Sequence, residues 1–353
     1  MSTYNFKLID FKTLPIQGEK PMKKHAGFFF VFIALVILTL PANSHAKKTY
    51  LFFGASAASS SHYAYVVGAT KAINKYVSGV KANVVETGAS VDNLKRVKSG
   101  EIDMGICSMK VMYEAWQGLS RWKDNALPDT RLLWLYAVGI DFIVVRADSG
   151  VEKLEDLNGK KFNPGIRGSA SEATTKQIFK ILGVEPVYHI GATSDAVKAI
   201  KDNRIVGYVK TGVGTQLDAS TLDIMTLTKV RLIPLTSEHT KKILAEIPYI
   251  SFITVPSGGI KAMPDQPAYT MWGRPIGVMC SKKLPDDIAN KLVKGIIKGK
   301  KYQVDAWPAF KELDLVQDPP DLTLIPIHKG ALEAYRELGA KDIRPIAIPP
   351  EAK

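Results

Sequence analysis

The sequence has few of the residue patterns that mark catalytic or metal centres. Its 353 residues include two cysteines and six histidines, and none of them has the close pairwise spacing of a zinc site. Neither a G-x-S-x-G nucleophile motif nor a G-x-x-x-x-G-K-[ST] phosphate loop is present. These absences argue against a metalloenzyme, a serine hydrolase and a nucleotide-binding enzyme. We therefore predict no catalytic residue, no metal ligand and no cofactor.

Composition and charge are those of a globular protein and permit an anionic partner. Hydrophobic residues make up 46% of the chain and charged residues 23%, with a formal net charge of +13. The lysines are spread along the chain and do not form blocks with interleaved aromatic residues. Nucleic-acid binding is therefore not predicted, while a small anionic ligand is compatible with the charge.

One long apolar run, residues 26–40, follows Lys23 and Lys24. It is shorter than the roughly 20 residues that a membrane-spanning helix needs. Ser44 and Ala46 are small residues at the two positions that a signal peptidase recognises. This pattern predicts a cleavable secretory signal with cleavage near Ala46 and a mature protein in the periplasm. A retained membrane anchor is the alternative.

A predicted β-strand, a loop of small residues and a predicted helix follow one another within residues 50–76. Such a loop lets a ligand approach the first backbone N–H groups of the helix, which favour an anion. The alternative is a turn that needs small residues only to fit. Further strands and helices alternate through residue 145, and a second such series runs from Phe162 to Thr211. Alternation predicts an α/β protein with parallel sheets, and the second series predicts a second domain.

Several segments resemble, in the same order, the TAXI family of TRAP-transporter solute receptors. The segments are residues 54–75, 87–94, 99–113, 144–160 and 165–174, with looser matches at 202–212 and 284–294. The resemblance implies a two-lobed, monomeric periplasmic binding protein of type II-like fold, each lobe a mostly parallel sheet flanked by helices. Its ligand cleft would lie between the lobes. It also implies delivery of a small organic solute to an integral-membrane TRAP permease. A sensor module of the same fold is the alternative function, and a secreted hydrolase is a more distant one.

The predicted domain organisation follows from this resemblance. Residues 1–46 are assigned to an upstream extension plus the signal peptide, with translation starting at Met22. Lobe I comprises residues 47–143 and 272–353, and lobe II comprises residues 144–271.

The loops that match the family predict the ligand-binding residues. They are Ser56, Ser60, Ser61, Tyr63 and Ser90 in lobe I, and Arg167, Ser169, Ser171 and Thr211 in lobe II. Arg167 is predicted to pair with a ligand carboxylate, because guanidinium binds carboxylate bidentately. An exposed loop arginine is the alternative. Trp272 and Arg274 are predicted to be packing residues.

This chain departs from the family pattern in ways that bear on the ligand. Alanines and serines replace the usual glycines and threonines of the first loop, and His62 stands where tyrosine is usual. Lys110 and Lys210 are basic where the family is not. Both lysines favour a small organic anion, predicted to be a carboxylate, and a ligand with two anionic groups over a zwitterion.

Cys107 and Cys280 are the only cysteines. In an oxidising compartment they either form one disulfide or remain two buried thiols.

Overall fold

The computed structural model describes residues 48–308, 310 and 313–352. The predicted signal peptide, its cleavage site and the start at Met22 lie outside these residues. Within the described part of the chain, no helix has both the length and the apolar character needed to cross a membrane.

The chain is a mixed α/β fold, as predicted. Its strands are β1 (Thr49–Gly54), β2 (Val80–Val85), β3 (Met104–Ser108), β4 (Thr130–Arg146), β5 (Lys161–Asn163), β6 (Val187–Tyr188), β7 (Gly207–Val213), β8 (Val230–Leu232), β9 (Ser251–Val255) and β10 (Tyr269–Ser281). Its helices are α1 (Ser61–Tyr76), α2 (Ser90–Ser99), α3 (Met109–Gln117), α4 (Ala170–Leu182), α5 (Thr193–Lys201), α6 (Ala219–Met225), α7 (Ser237–Glu246), α8 (Asp286–Lys298), α9 (Lys300–Ala306), α10 (Asp318–Leu322) and α11 (Lys329–Glu337).

All of these strands belong to one sheet with the order β2-β1-β3-β10-β4-β7-β5-β6, while β8 pairs with β4 and β9 with β10. At one end β2, β1 and β3 are parallel, and at the other β7, β5 and β6 are parallel. The long strands β4 and β10 run antiparallel to each other between the two ends. Each end is thus the sheet of one lobe, which confirms the predicted two-lobed fold class.

Buried apolar residues form two separate cores along β4 and β10. Apolar residues within 132–137 of β4 pack in the first core, and those within 140–145 pack in the second. Strand β10 changes core in the same way between Trp272 and Ile276. Gly139 lies at this crossing, where a Cβ atom would come within 2.5 Å of the Ile276 Cδ1 atom. The exact lobe boundaries stay a prediction.

Residues 219–255 contain elements that the sequence patterns did not predict, namely α6, β8, α7 and β9. Helix α7 shows the reason, because Ile243 is the only one of its ten residues that is buried. A helix with so little buried surface has no apolar stripe to detect.

The two cysteines are buried free thiols, so the disulfide hypothesis is wrong and the alternative is confirmed. Strand β10 lies beside β3, but Cys107 is paired with Gly277 and Cys280 is paired with Met104. The two residues are therefore three register positions apart, about 10 Å at the usual rise of a strand. Burial raises the pKa of both thiols.

Asn93 on α2 joins the ends of two strands of lobe I. Its fully buried side-chain amide donates to the carbonyl oxygens of Ala55 at 3.0 Å and of Ile106 at 2.9 Å, with a longer contact of 3.3 Å to Gly54. The loop that begins at Ala55 carries Ser56. Asn93 therefore fixes the start of that loop against β3.

We expect Asn93→Ala to lower the free energy of unfolding by about 1–3 kcal/mol, because it removes the buried hydrogen bonds to the Ala55 and Ile106 carbonyl groups. The exposed Lys95 on the same helix provides the control, and Lys95→Ala should change stability by less than about 0.5 kcal/mol. Urea denaturation of both variants measures this. Equal stabilities for the two variants would contradict the assigned role of Asn93.

Candidate functional site

A small cavity of about 60 Å³ lies where the two cores meet. Both lobes contribute to it, and eight of its lining residues carry a hydroxyl group among apolar neighbours. It is lined by Ser56, Ser60, His62, Ala89, Ser90, Ile106, Ser108, Tyr136, Ile166, Ser169, Ala170, Ser171, Val209, Lys210, Thr211, Arg274 and Ile276. Most of these residues come from the carboxyl ends of β1 and β3, from β7 and from the first turns of α1, α2 and α4, while Tyr136 lies on β4 and Arg274 and Ile276 lie on β10. Ligands of open α/β sheets sit at such strand ends.

The structure brings together six of the nine residues predicted to bind a ligand, Ser56, Ser60, Ser90, Ser169, Ser171 and Thr211. The other three do not line the cavity. Ser61 contacts α6, Tyr63 packs partly buried against the first core, and Arg167 is exposed. Their ligand contacts stay predictions.

Arg274, predicted from sequence to be a packing residue, lines the cavity and forms a buried ion pair with Asp141 of β4. Its Nη1 and Nη2 atoms donate to the two carboxylate oxygens at 2.6 and 3.1 Å. Trp272 and Thr211 also donate to this carboxylate, and Ser171 donates to it at 2.9 Å. Burial opposes ionisation of Asp141, but the Arg274 charge and these hydrogen bonds hold its pKa below the ordinary value.

A second buried carboxylate, Asp218, joins the start of α6 to the start of α1. It accepts from the Ser61 N–H at 3.0 Å and the Ser60 hydroxyl at 3.1 Å, and from the Ser220 N–H and hydroxyl at 3.0 and 2.6 Å. In return, the Ala219 N–H donates to the Ser61 hydroxyl at 3.1 Å. The two helix N-termini therefore cap each other, and the carboxylate compensates the partial positive charge of both.

Lys210 lies on the cavity wall with its Nζ atom 3.6 Å from Asp218. Burial opposes ionisation of Asp218, but the Lys210 charge and the Ser220 hydrogen bonds keep its pKa below the ordinary value. Each carboxylate behind the wall is thus paired with a cation that lies on the wall.

Three polar atoms of the cavity residues have no hydrogen-bond partner among the described residues. They are the Ser56 hydroxyl, the Ser108 hydroxyl and the Arg274 Nε atom. The three side chains are 4%, 1% and 5% exposed. Buried polar groups without a partner cost free energy, so these three atoms are the donors of the lining residues that a bound polar molecule could satisfy.

His62 and Tyr136 form the remaining polar part of the wall. The His62 Nδ1 atom lies 2.9 Å from the Tyr136 hydroxyl oxygen. Ala89, beside them in the lining, has a φ of 67° and a ψ of −144°, a conformation that glycine normally adopts. Backbone strain of this kind is found at binding sites, where the surrounding structure holds it in place.

Lys110 does not line this cavity. Its Nζ atom donates to Glu114 at 2.7 Å and to Gln177 at 2.8 Å, and Glu114 accepts from the Tyr249 hydroxyl at 2.9 Å. This buried cluster joins the two lobes beside the cavity. The charge of Lys110 is therefore balanced by Glu114 and is not directed at a ligand.

Sequence reasoning missed Asp141, Asp218 and Ser108 and assigned Arg274 to packing. Asp141 could have been found, because it interrupts the apolar run of residues 132–145. A carboxylate inside a buried strand needs a cation, and Arg274 is the basic residue of the other long buried strand. Asp218 lies in a loop without any comparable signal.

In the part of the chain that the structure describes, no group of three or more His, Cys, Asp or Glu residues could hold a metal ion. The polar residues that line the cavity provide hydroxyl groups, the His62 ring and two cations, among apolar side chains. Their arrangement can bind and orient a small polar molecule.

Comparison with known proteins gives one family match and several distant structural likenesses. The ligand-binding component of an ABC-type import system from Staphylococcus aureus has 15% identity over 82% of this chain and 84% of its own, with a TM-score of 0.45. An ancestral arginine-binding protein has 18% identity over 75% of this chain and 99% of its own, with a TM-score of 0.42. Residues 53–339, most of the chain, match the model of the NMT1-like family. The chain therefore belongs to the NMT1-like family.

Proposed function

We propose that the protein is an extracytoplasmic solute receptor that binds a small organic anion, a carboxylate, in the cavity between its lobes. The observation that carries this proposal is that three lining residues, Ser56, Ser108 and Arg274, each have a polar atom without a hydrogen-bond partner among the described residues. All three can donate a hydrogen bond, and a carboxylate offers only acceptors. The cations Arg274 and Lys210 on the same wall favour a negative charge.

The first turn of α4 adds to this preference. Ser169, Ala170 and Ser171 line the cavity at the N-terminus of that helix. The N-terminal end of a helix carries partial positive charge and suits an anion. The ligand would therefore meet positive potential from lobe II as well as donors from lobe I.

We propose further that lobe I comprises residues 47–143 and 272–353, lobe II comprises residues 144–271, and the lobes close on the solute. Contacts that join the lobes beside the cavity support this. The Val91 and Asp92 N–H groups donate to the Gly168 carbonyl oxygen at 2.8 and 3.2 Å. The reciprocal caps of Ser61 and Asp218 would form in the same movement.

We propose binding without catalysis, and the hydrogen bonds of His62 and Ser60 favour this over a hydrolase. The His62 Nδ1 atom pairs with Tyr136, and the Ser60 hydroxyl donates to Asp218. Among the described residues, no serine hydroxyl is hydrogen-bonded to the ring of His62, so the site has no nucleophile paired with a base.

The partner we propose is a TRAP-type permease in the membrane, with the receptor acting as a monomer in the periplasm. The sequence resemblance supports this partner. Cells that lack the chain should lose uptake of the labelled solute. Normal uptake with altered expression of solute-responsive genes would favour the sensor function instead.

The proposed site predicts that Ser56→Ala and Ser108→Ala weaken ligand binding without destabilising the free protein. Each removes a hydroxyl that has no partner in the described structure, so the free energy of unfolding should change by less than about 1 kcal/mol. Each should lower affinity about 10-fold, because a hydrogen bond to a charged ligand is worth about 1.5 kcal/mol. Calorimetry with the solute that native mass spectrometry finds in the purified protein measures both variants.

The matched control is Thr70→Val, which removes an unpartnered buried hydroxyl of α1 that does not line the cavity. It should leave the affinity unchanged. Wild-type affinity in both serine variants, or a purified protein that carries no small anion and binds none, would refute the proposal.

Burial of His62 gives a prediction on pH. Burial lowers the pKa of this side chain to about 4 from the 6.5 that it has when exposed. Between these values the unfolded chain binds a proton that the folded chain does not, so the stability contributed by neutral His62 is complete above pH 6.5 and lost as the pH falls toward 4. The loss amounts to about 3 kcal/mol.

We expect His62→Gln to lack this part of the pH dependence. Thermal or urea unfolding between pH 7 and pH 4.5 measures it, with His189→Gln as a control for the loss of a histidine. A wild-type pH dependence in His62→Gln would contradict the assignment.

A further inference from the structure

Both carboxylates nearest the cavity have their acceptor capacity filled by the protein. Asp141 accepts hydrogen bonds from Arg274, Trp272, Thr211 and Ser171, two of them from Arg274. Asp218 accepts four, from Ser60, Ser61 and Ser220. A carboxylate has about four lone-pair sites. Neither side chain is exposed at all. We propose that the cavity selects a small monocarboxylate that carries no ammonium group, an inference that rests on the proposed function.

An ammonium group would meet no anion on the wall. It needs three acceptors and carries a full charge, yet the charged side chains that line the cavity are the cations Lys210 and Arg274. Burying an ammonium beside two cations without a carboxylate is unfavourable. The free amino group of an amino acid is therefore selected against.

The charge balance of the site also favours one negative charge over two. Arg274 is balanced by Asp141, and Lys210 by Asp218, so these four groups sum to zero. The two cations line the cavity and the two carboxylates lie behind them. A ligand anion is therefore closer to the positive charges than to the negative ones, which stabilises one anion. Lys110, which sequence reasoning counted toward a second anionic group, is balanced by Glu114 away from the wall. A second ligand charge would therefore be buried without a counter-ion.

The volume of the cavity limits the size of the ligand. A single water needs about 10–15 Å³ of such space, so the 60 Å³ present holds roughly four to six non-hydrogen atoms. A carboxylate with one to three further atoms fits this limit. Its two oxygens and one adjacent oxygen would match the three donors of Ser56, Ser108 and Arg274 that have no partner among the described residues.

Pyruvate, L-lactate and L-alanine separate charge from size, because they have the same number of non-hydrogen atoms and differ at one position. Oxalate also has six non-hydrogen atoms and carries a second carboxylate. Titration calorimetry of the wild-type protein, freed of any bound solute by partial unfolding and refolding, should show binding of pyruvate or L-lactate. L-Alanine and oxalate should bind at least 100-fold more weakly than the better of these two.

Affinity for L-alanine or oxalate within 10-fold of the better of pyruvate and L-lactate would overturn the inference while leaving the proposed function intact. Absence of binding by both pyruvate and L-lactate would overturn it as well. The proposed function fails separately, when the protein as purified carries no small anion and binds none of a broader series of mono- and dicarboxylates.

A variant with a new acceptor tests the same point in the opposite direction. Ser108→Asp places a carboxylate on the wall, and the ratio of L-alanine affinity to L-lactate affinity should rise at least 10-fold. Ser108→Asn is the matched control and should leave the ratio unchanged. An unchanged ratio in a folded Ser108→Asp protein, verified by circular dichroism, would contradict the proposed basis of selection.

Discussion

The buried pair of Asp141 and Arg274 is the constraint on which the binding site depends. These side chains lie on the two long strands that run through both lobes, at the point where the hydrophobic cores change over. Breaking such a pair leaves a buried charge without compensation and costs several kcal/mol. Because the pair spans β4 and β10 and also engages Thr211 of β7, it fixes the register of three strands directly beneath the cavity.

The orientation of that pair decides what the cavity presents to a ligand. Asp141 accepts hydrogen bonds from both Nη atoms of Arg274, and the Nε atom has no partner among the described residues. Asp218 accepts a hydrogen bond from the Ser60 hydroxyl and balances the charge of Lys210. The carboxylate oxygens are therefore engaged behind the wall, while the cations Arg274 and Lys210 lie on it. The preference for an anion arises from this arrangement, and no excess of positive charge at the site is required.

The fold could be predicted further from the sequence than the site could. Alternating strands and helices, with small residues at the turns, predicted an α/β protein with a second domain, and the family resemblance implied the two-lobed class with a cleft between the lobes. Hydroxyl residues of those turns, such as Ser56 and Ser171, follow directly from that pattern and do line the cavity. Arg274 did not follow, because its partner Asp141 is distant in sequence and the pairing depends on the register of β4 and β10. Arg167 was predicted as a ligand-binding residue because of its charge and its position in a loop. Its exposure depends on how that loop packs, which cannot be predicted from the local sequence.

The central claim is that a small anion occupies the cavity against the three donors that have no partner in the described part of the chain. A crystal structure of the protein purified without refolding tests it most directly. The account predicts density for one small anion within hydrogen-bond distance of the Ser56 and Ser108 hydroxyls and the Arg274 Nε atom. Density for water alone at this position, with a solute bound elsewhere on the molecule, would contradict it.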